Sequence, residues 1–274
     1  MSRASAPKGF TDIYSLPHFY DVLHGPDTLK DVRGLMKIAR KFVPQTARAQ
    51  VWLEPACGSG RYLREAAKSG CRTVGFDLEP GMVAYAVEQA KIAGVSARSD
   101  YFVADMRNFD QERNIPKVDF AFNLINTIRH LNSDRAVLDH FEAMARVLRS
   151  DGVYVVGMSM CAYGYEPETE DVWKGKRDGV QVLQNITYIP ALGGTGAGAR
   201  VERVISHLTV TTGRGKAASV EHFDSTYGLR SYDLREWGTL IEKSALTAIA
   251  VVDERGGHMD PPEVGYCLWV FKKR

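Results

Sequence analysis

The sequence has few cysteines, and no two of them stand close enough to grip a metal. Cys57, Cys71, Cys161 and Cys267 are scattered through 274 residues without a Cys-x-x-Cys pair. Neither a disulfide frame nor a metal site is expected, and reduced thiols in a cytoplasmic protein are. Long apolar runs are missing too. No window approaches the roughly 18 apolar residues of a membrane-spanning helix. The opening stretch MSRASAPKGFTDIY has no apolar segment of the kind a secretory signal needs. Nor does one charge dominate: Lys plus Arg number 35 and Asp plus Glu 33, a formal net charge of +2. That balance supplies no global field for nucleic acid. Internal repeats and low-complexity tails are absent as well.

What is present is an ordinary globular composition, 45% hydrophobic and 25% charged, enough for one large α/β domain with an insertion. Between residues 51 and 160 short apolar runs alternate with helical periods. Strand-like VWLEP (51–55) leads into a helix through Leu63, Ala66 and Ala67 that stops near Gly70. RTVGFD (72–77) precedes a helix opened by Pro80, with Met82, Val83, Ala86, Val87 and Ala90 on one face and Gly94 at its end. Strands are expected at 101–105 and 118–124. Ser133 can cap a helix carrying Val137, Phe141 and Met144, and Asp151-Gly152 reads as a turn into the strand 153–160. This β-α alternation implies a doubly wound, mostly parallel sheet.

After residue 160 the pattern changes to long β-rich runs at 180–189, 199–212 and 218–229, joined by GGTGAG (193–198) and TGRGK (212–216). The acidic run Glu166–Asp171 reads as a solvated loop, with attraction of a cationic acceptor as the alternative. A helix from Asp233 and strands at 247–254 and 265–273 then resume the α/β order. The expected organisation is an N-terminal helical lid (1–50), a core (51–160), an antiparallel β insertion (161–230) and a C-terminal part of the core sheet (231–274). Seven candidate strands lie outside the insertion.

The stretch Glu54-Pro55-Ala56-Cys57-Gly58-Ser59-Gly60 is a glycine-rich turn between strand and helix. A phosphate-binding loop needs Gly-Lys-Ser/Thr, and here Arg61-Tyr62 follow Gly60. A dinucleotide fingerprint needs a third small residue, and its two frames offer Leu63 or Arg61. What remains is a turn with Glu54 before it and Asp77 ending the next strand, where a carboxylate accepts from ribose hydroxyls. Two carboxylates repel a pyrophosphate and tolerate an ammonium or a sulfonium. S-adenosylmethionine (SAM) meets that description.

LEPACGSGRYL, GFDLEPGM and FVADMRNF, with DFAFNLINTIRHL and VLRSDGVYVV, resemble the ordered motifs of class I SAM-dependent methyltransferases. The likeness covers residues 50–160, with a looser echo in 232–273. It implies a seven-stranded Rossmann-like sheet whose final strand is antiparallel. It also implies roles. Ala56, Gly58 and Gly60 would let the backbone approach the methionine portion of the cofactor, with Glu54 at its amino group. Asp77 would bind the ribose, Leu78 and Met82 would flank the adenine, and Asp105 would accept from its amino group beside Met106. Asn123 would face the sulfonium. Apart from the resemblance, Tyr14, Phe19 and Tyr20 read as an N-terminal lid over the cofactor, with ordinary packing as the alternative. One departure is Ala56, where the family more often has glycine; a methyl group is tolerable there if φ is negative.

NLINTIRHL (123–131) resembles the version in small-molecule N- and O-methyltransferases, including glycine/sarcosine-type and sugar N-methylating enzymes. In such relatives the insertion roofs the acceptor site or builds an oligomer interface, so a homodimer through it is one option. His130, His207, His222 and Tyr227 are the candidate general bases. Asn126, Thr127 and His130 are alternatively caps for the helix that follows. Asp260-Pro261-Pro262-Glu263 resembles the tetrad that grips a flipped base, but it precedes the last strand and lacks the stacking aromatic, so it reads as a turn. The expected function is transfer of methyl from SAM to nitrogen or oxygen of a small metabolite, with no nucleic-acid or membrane partner. The alternative is a non-catalytic SAM-binding regulatory or assembly protein; an NAD-dependent oxidoreductase is disfavoured by Arg61 and Leu63.

Overall fold

Pro17 opens α1 (Pro17–His24) at a position where its missing N–H costs nothing. In the computed structural model, residues 12–45, 48–196, 198–213 and 215–274 are described. Residues 1–11 of the expected lid, and Ala197 and Arg214 of the glycine-rich connections, lie outside the described residues. Helix α2 (Thr28–Phe42) buries Val32, Leu35, Ile38 and Ala39 along one face. The run Val51–Pro55 is β1, buried throughout. Then come α3 (Arg61–Lys68), β2 (Arg72–Asp77), α4 (Pro80–Ile92) and β3 (Ser99–Val103). Val87, expected on the buried face of α4, is exposed. A one-turn helix α5 (Phe109–Glu112) precedes β4 (Val118–Asn123). Ser133 caps α6 (Asp134–Val147), its Oγ accepting from the Ala136 N–H at 3.2 Å.

Strand β5 (Leu148–Met160) starts directly after α6, so Asp151-Gly152 lies inside a strand and not in a turn before it. The physical reason is an irregular register: Val118 pairs with Leu148 but Phe120 pairs with Val153, and the extra residues bulge within the strand. The insertion contributes β6 (Thr169–Arg177), β7 (Val180–Ile189), β8 (Val201–Thr212) and β9 (Ser219–Arg230). Thr169, Glu170 and Asp171 of the acidic run pair with β7, so the expected solvated loop is in part an edge strand. The chain returns through α7 (Leu234–Lys243), β10 (Leu246–Val252) and β11 (Gly265–Lys273). Asp233 and Glu236 close a reciprocal capping box at the start of α7.

The seven-stranded sheet runs β10-β11-β5-β4-β1-β2-β3, and the insertion forms a second, four-stranded sheet β6-β7-β8-β9. Only β11 runs antiparallel in the large sheet, against both β5 and β10. Alternation along each strand serves two cores. Leu53, Tyr154, Val156 and Phe271 pack with α6 and α7, including Phe141 and Trp237. Trp52, Phe120, Val155 and Val270 pack on the other face with α2, α3 and α4.

Helix α1 ties the insertion to this frame. Val22 and Leu23 pack against Val182, Leu208 and Val210 on the inner face of the small sheet. Gly175 in β6 permits the approach, since a Cβ there would lie 2.0 Å from the Val22 carbonyl oxygen. On its other side α1 buries Asp21 completely. Asp21 accepts from Ser59 Oγ (2.6 Å), Arg64 Nη2 (2.8 Å), Arg177 Nη1 (2.7 Å) and Tyr85 Oη (3.2 Å). Burial pushes the carboxyl up, but Arg64 and the hydrogen bonds from Ser59 and Arg177 outweigh it and hold the group below its ordinary value.

Asp21→Asn leaves two guanidinium groups short of their counter-charge and is expected to cost about 3–5 kcal/mol in urea unfolding at pH 7. A carboxyl held below its unfolded value stabilises the fold above that value, about 3.9, and loses this as pH falls through the folded one. The gap between wild type and variant is therefore expected to narrow below about pH 4; a gap independent of pH would exclude a charged hub.

Candidate functional site

The strand order reverses between β1 and β4, and the crevice beyond their C-terminal ends is where open α/β sheets take ligands. The turn after β1 lies there. Ala56, Gly58 and Gly60 have φ of 50°, 53° and 69°. The condition under which a methyl group at Ala56 is unstrained, a negative φ, is thus not met; Ala56 occupies the left-handed region that favours glycine. The turn is held by Cys57 N–H donating to the Phe76 carbonyl (2.9 Å) and Gly60 N–H donating to the Cys57 carbonyl (2.9 Å). Asp77 clamps it from β2: Oδ2 accepts from Gly58 N–H (2.8 Å) and Oδ1 from Glu79 N–H (2.9 Å). Burial pushes the Asp77 carboxyl up, against these backbone hydrogen bonds. Tyr20 covers the turn, its ring 3.4 Å from where a Gly58 Cβ would lie.

Two acceptors near the turn stand out. Glu54 is 6% exposed, and its Oε2 has no hydrogen-bond partner among the described residues. Burial drives its carboxyl well above the ordinary value, with Arg61 opposing. Asn123, at the end of β4, donates from Nδ2 to the Pro55 carbonyl (2.9 Å), and its Oδ1 is likewise buried without a partner. Leu78 is exposed at the mouth, whereas Met82 is fully buried and presents no surface to a ligand. Asp105 is held by Arg107 of its own turn (Nε at 2.9 and 3.1 Å), which keeps its carboxyl low. Met106 packs at the edge of the core, and its carbonyl lies 2.9 Å from His140 Nδ1.

A cavity of about 580 Å³ lies between the crevice, α1 and the insertion. His130 lines it, with Nε2 3.1 Å from Tyr14 Oη and its ring stacked on Tyr227 at 5.6 Å. Burial lowers His130 to about 4, so the imidazole is neutral at physiological pH. Tyr227 also lines the cavity, but burial raises its phenol, which makes it a donor and not a base. His207 and His222 do not line the cavity. Alternation along β8 and β9 turns them to the outer face of the small sheet, where they stack on each other at 5.3 Å. His207 Nδ1 lies 2.6 Å from Asp224 Oδ1, and His222 Nδ1 lies 3.2 Å from Thr209 Oγ1. Neither is placed to act as a base on an acceptor in this cavity. Asn126 does not cap α6; it binds Ser159 through Oδ1 (2.7 Å) and Nδ2 (3.1 Å). Phe19 packs toward Phe223 in the core below the insertion.

Residues 53–152 match a family model described as a methyltransferase domain. This stretch is a methyltransferase domain. The dTDP-3-amino-3,6-dideoxy-alpha-D-glucopyranose N,N-dimethyltransferase of Streptomyces fradiae is 29% identical over 161 residues, 57% of this chain and 58% of that one. The match thus spans little more than half the length of that curated relative. Two solved structures share the whole fold. DesVI of Streptomyces venezuelae has a TM-score of 0.70 at 22% identity, covering 96% of this chain and 99% of that one. The sugar N-methyltransferase KedS8 of a Streptoalloteichus species has a TM-score of 0.66 at 19% identity, covering 100% and 98%.

S-adenosylmethionine is the cofactor of this methyltransferase domain, and the residues present suit it. The unpartnered Glu54 Oε2 matches an ammonium. Sequence reasoning missed three features of the domain. One is Asp21, which belongs to no motif of the sequence. Arg129, 3% exposed, donates to Glu202 (2.7 Å), the Arg230 carbonyl (2.9 Å) and Ser231 (3.0 Å), locking the turn after β4 to the insertion. Ile125 has φ of 45°, a rare conformation for a β-branched residue, and its N–H donates to Tyr266 Oη at 3.0 Å. Of these, only Asp21 and Arg129 carried any hint in the sequence, as charges on otherwise apolar stretches.

Burial raises the Glu54 carboxyl in the free protein, and the cationic amino group of SAM is expected to draw it back down on arrival. Binding then releases a proton and tightens as pH rises. Calorimetry in two buffers of different ionisation enthalpy reads this release, and it should vanish in Glu54→Gln. Ala56→Gly removes the left-handed strain and is expected to stabilise the protein by roughly 1 kcal/mol in urea unfolding; a loss of stability would contradict the positive φ.

Proposed function

We propose that the chain is a SAM-dependent N-methyltransferase acting on an amine of a small, sugar-type acceptor. The names of the Streptomyces fradiae relative and of KedS8 support nitrogen as the target and a sugar as the acceptor class. One observation on the site carries the choice of nitrogen over oxygen. Burial lowers both cavity imidazoles, His130 to about 4 and His24 to about 3. A base that weak does not deprotonate a sugar hydroxyl, whereas a neutral amine already has its lone pair.

Bound SAM supplies a methyl group on a sulfonium, which leaves as a neutral thioether without protonation. Everything else falls to the chain. The turn Ala56–Gly60 and Glu54 hold the amino-acid end, Asp77 the ribose, and Leu78 the mouth beside the adenine. Asn123 and the strained Ile125-Asn126 turn set the wall on which the acceptor nitrogen approaches. The Tyr14–His130 pair orients the amine by hydrogen bonding, keeping nucleophile and methyl in line while the aromatic walls exclude water. The acceptor amine would take the methyl group with its own lone pair, and the resulting ammonium would give its proton to water.

The four cysteines are buried and unpaired, which supports a reducing, cytoplasmic setting. Among the described residues no helix is long and apolar enough to cross a membrane. A homodimer through the insertion belongs to the same reading, supported by Val172, Ile205 and Val220, which lie exposed on its outer face.

Labelled SAM incubated with amino sugars and their hydroxyl analogues tests the proposal. Label is expected on nitrogen only, and Asp77→Ala should abolish transfer. The rate should rise with pH through the acceptor amine's own pKa, and His130→Asn should lower kcat by about 100-fold while keeping that limb. Label on oxygen would overturn the choice of nitrogen. Retained SAM binding without transfer to any acceptor would favour the non-catalytic alternative.

A further inference from the structure

The lining of the cavity is acidic. Among the described residues that line it are four carboxylates, Glu166, Asp171, Glu202 and Glu254, and one guanidinium, Arg129. Arg129 is already committed, with Glu202, the Arg230 carbonyl and Ser231 around it. A diphosphate needs free cationic forks or backbone N–H groups aimed at its oxygens, and those side chains supply none. They repel it.

A second observation points to what the wall accepts. Gln184 is 2% exposed and donates from Nε2 to Ser206 Oγ at 2.8 Å, while its Oε1 has no hydrogen-bond partner. The even positions of β7, Gln184, Ile186 and Tyr188, all line the cavity. Gln184 therefore offers a buried, unpaired acceptor to whatever fills it, and burial leaves such an oxygen costly until a donor arrives. On the neighbouring edge strand Asp171 and Trp173 line the same wall. A carboxylate beside an indole suits an ammonium by charge and by cation–π attraction.

We infer that the acceptor is a free amino sugar or aminocyclitol with a second cationic amine, held by Asp171, Trp173 and Gln184, and that it carries no nucleoside diphosphate. This rests on the proposed N-methyltransferase activity and departs from the dTDP-linked sugar in the name of the Streptomyces fradiae relative. The second ammonium docks on the insertion while the amine to be methylated lies beside Tyr14 and His130. The carboxylates thus act on the anchoring cation and leave the reacting amine free to lose its proton.

Calorimetry on the full chain saturated with S-adenosylhomocysteine tests this with three probes: 2-deoxystreptamine, which carries two amines, D-glucosamine, which carries one, and thymidine diphosphate. The diamine is expected to bind about tenfold tighter than glucosamine, and thymidine diphosphate not at all. Asp171→Asn, an exposed edge-strand position, should bring the diamine down to the level of glucosamine with S-adenosylhomocysteine affinity unchanged. Binding of thymidine diphosphate in competition with the amines, equal affinity for the two amines, no binding of the diamine, or indifference to Asp171→Asn would each overturn the inference. Failure to bind S-adenosylhomocysteine would instead overturn the methyltransferase reading on which it rests.

Discussion

A single buried carboxylate holds the working parts of this protein together. Asp21 collects hydrogen bonds from the cofactor turn (Ser59), the helix after it (Arg64), the next helix (Tyr85) and the first insertion strand (Arg177). Apolar packing of α1 brings the two together, through Val22 and Leu23 on the insertion and Tyr20 over the turn. The Asp21 contacts fix their mutual placement, because a fully buried charge tolerates only the arrangement in which all its partners are in place. The second tie is Arg129, which fixes the turn after β4 to β8 and β9 by the same logic.

Between these two ties lies a cavity whose polar groups divide into two sets. Around the cofactor turn, acceptors are left over: Glu54 Oε2 and Asn123 Oδ1. Around the acceptor cavity, the imidazoles are neutral and the remaining charge is mostly negative. Unpaired buried acceptors and unbalanced carboxylates lower stability when nothing answers them. A cationic cofactor and the cationic acceptor proposed above would answer both. The strain at Ala56 and Ile125 belongs with this, since the two lie in the turns just after β1 and β4 and both sit in backbone conformations that their side chains disfavour.

Much of the fold was legible in the sequence. Apolar runs with period two and helices punctuated by Pro80, Gly94 and Ser133 specify their elements locally, and the strands at 180–189 and 265–273 match the expected limits. Where local rules failed, a partner elsewhere decided. Asp151-Gly152 has turn chemistry, yet pairing with β4 draws it into a strand. Glu170 and Asp171 are poor strand formers, yet β7 supplies a ladder for them.

The candidate site divides along the same line. Glu54, the glycine turn and Asp77 are close in sequence to the strand ends that carry them, so their spacing alone pointed to a cationic nucleoside, while the alternation of short strands and helices pointed to the doubly wound sheet. The acceptor side is built from residues more than a hundred positions apart, such as Tyr14 with His130. Three histidines looked equivalent in the sequence. Only the twist, register and face of β8 and β9 could send His207 and His222 outward while His130 was buried, because a strand's side chains alternate and one residue of register reverses which face they take.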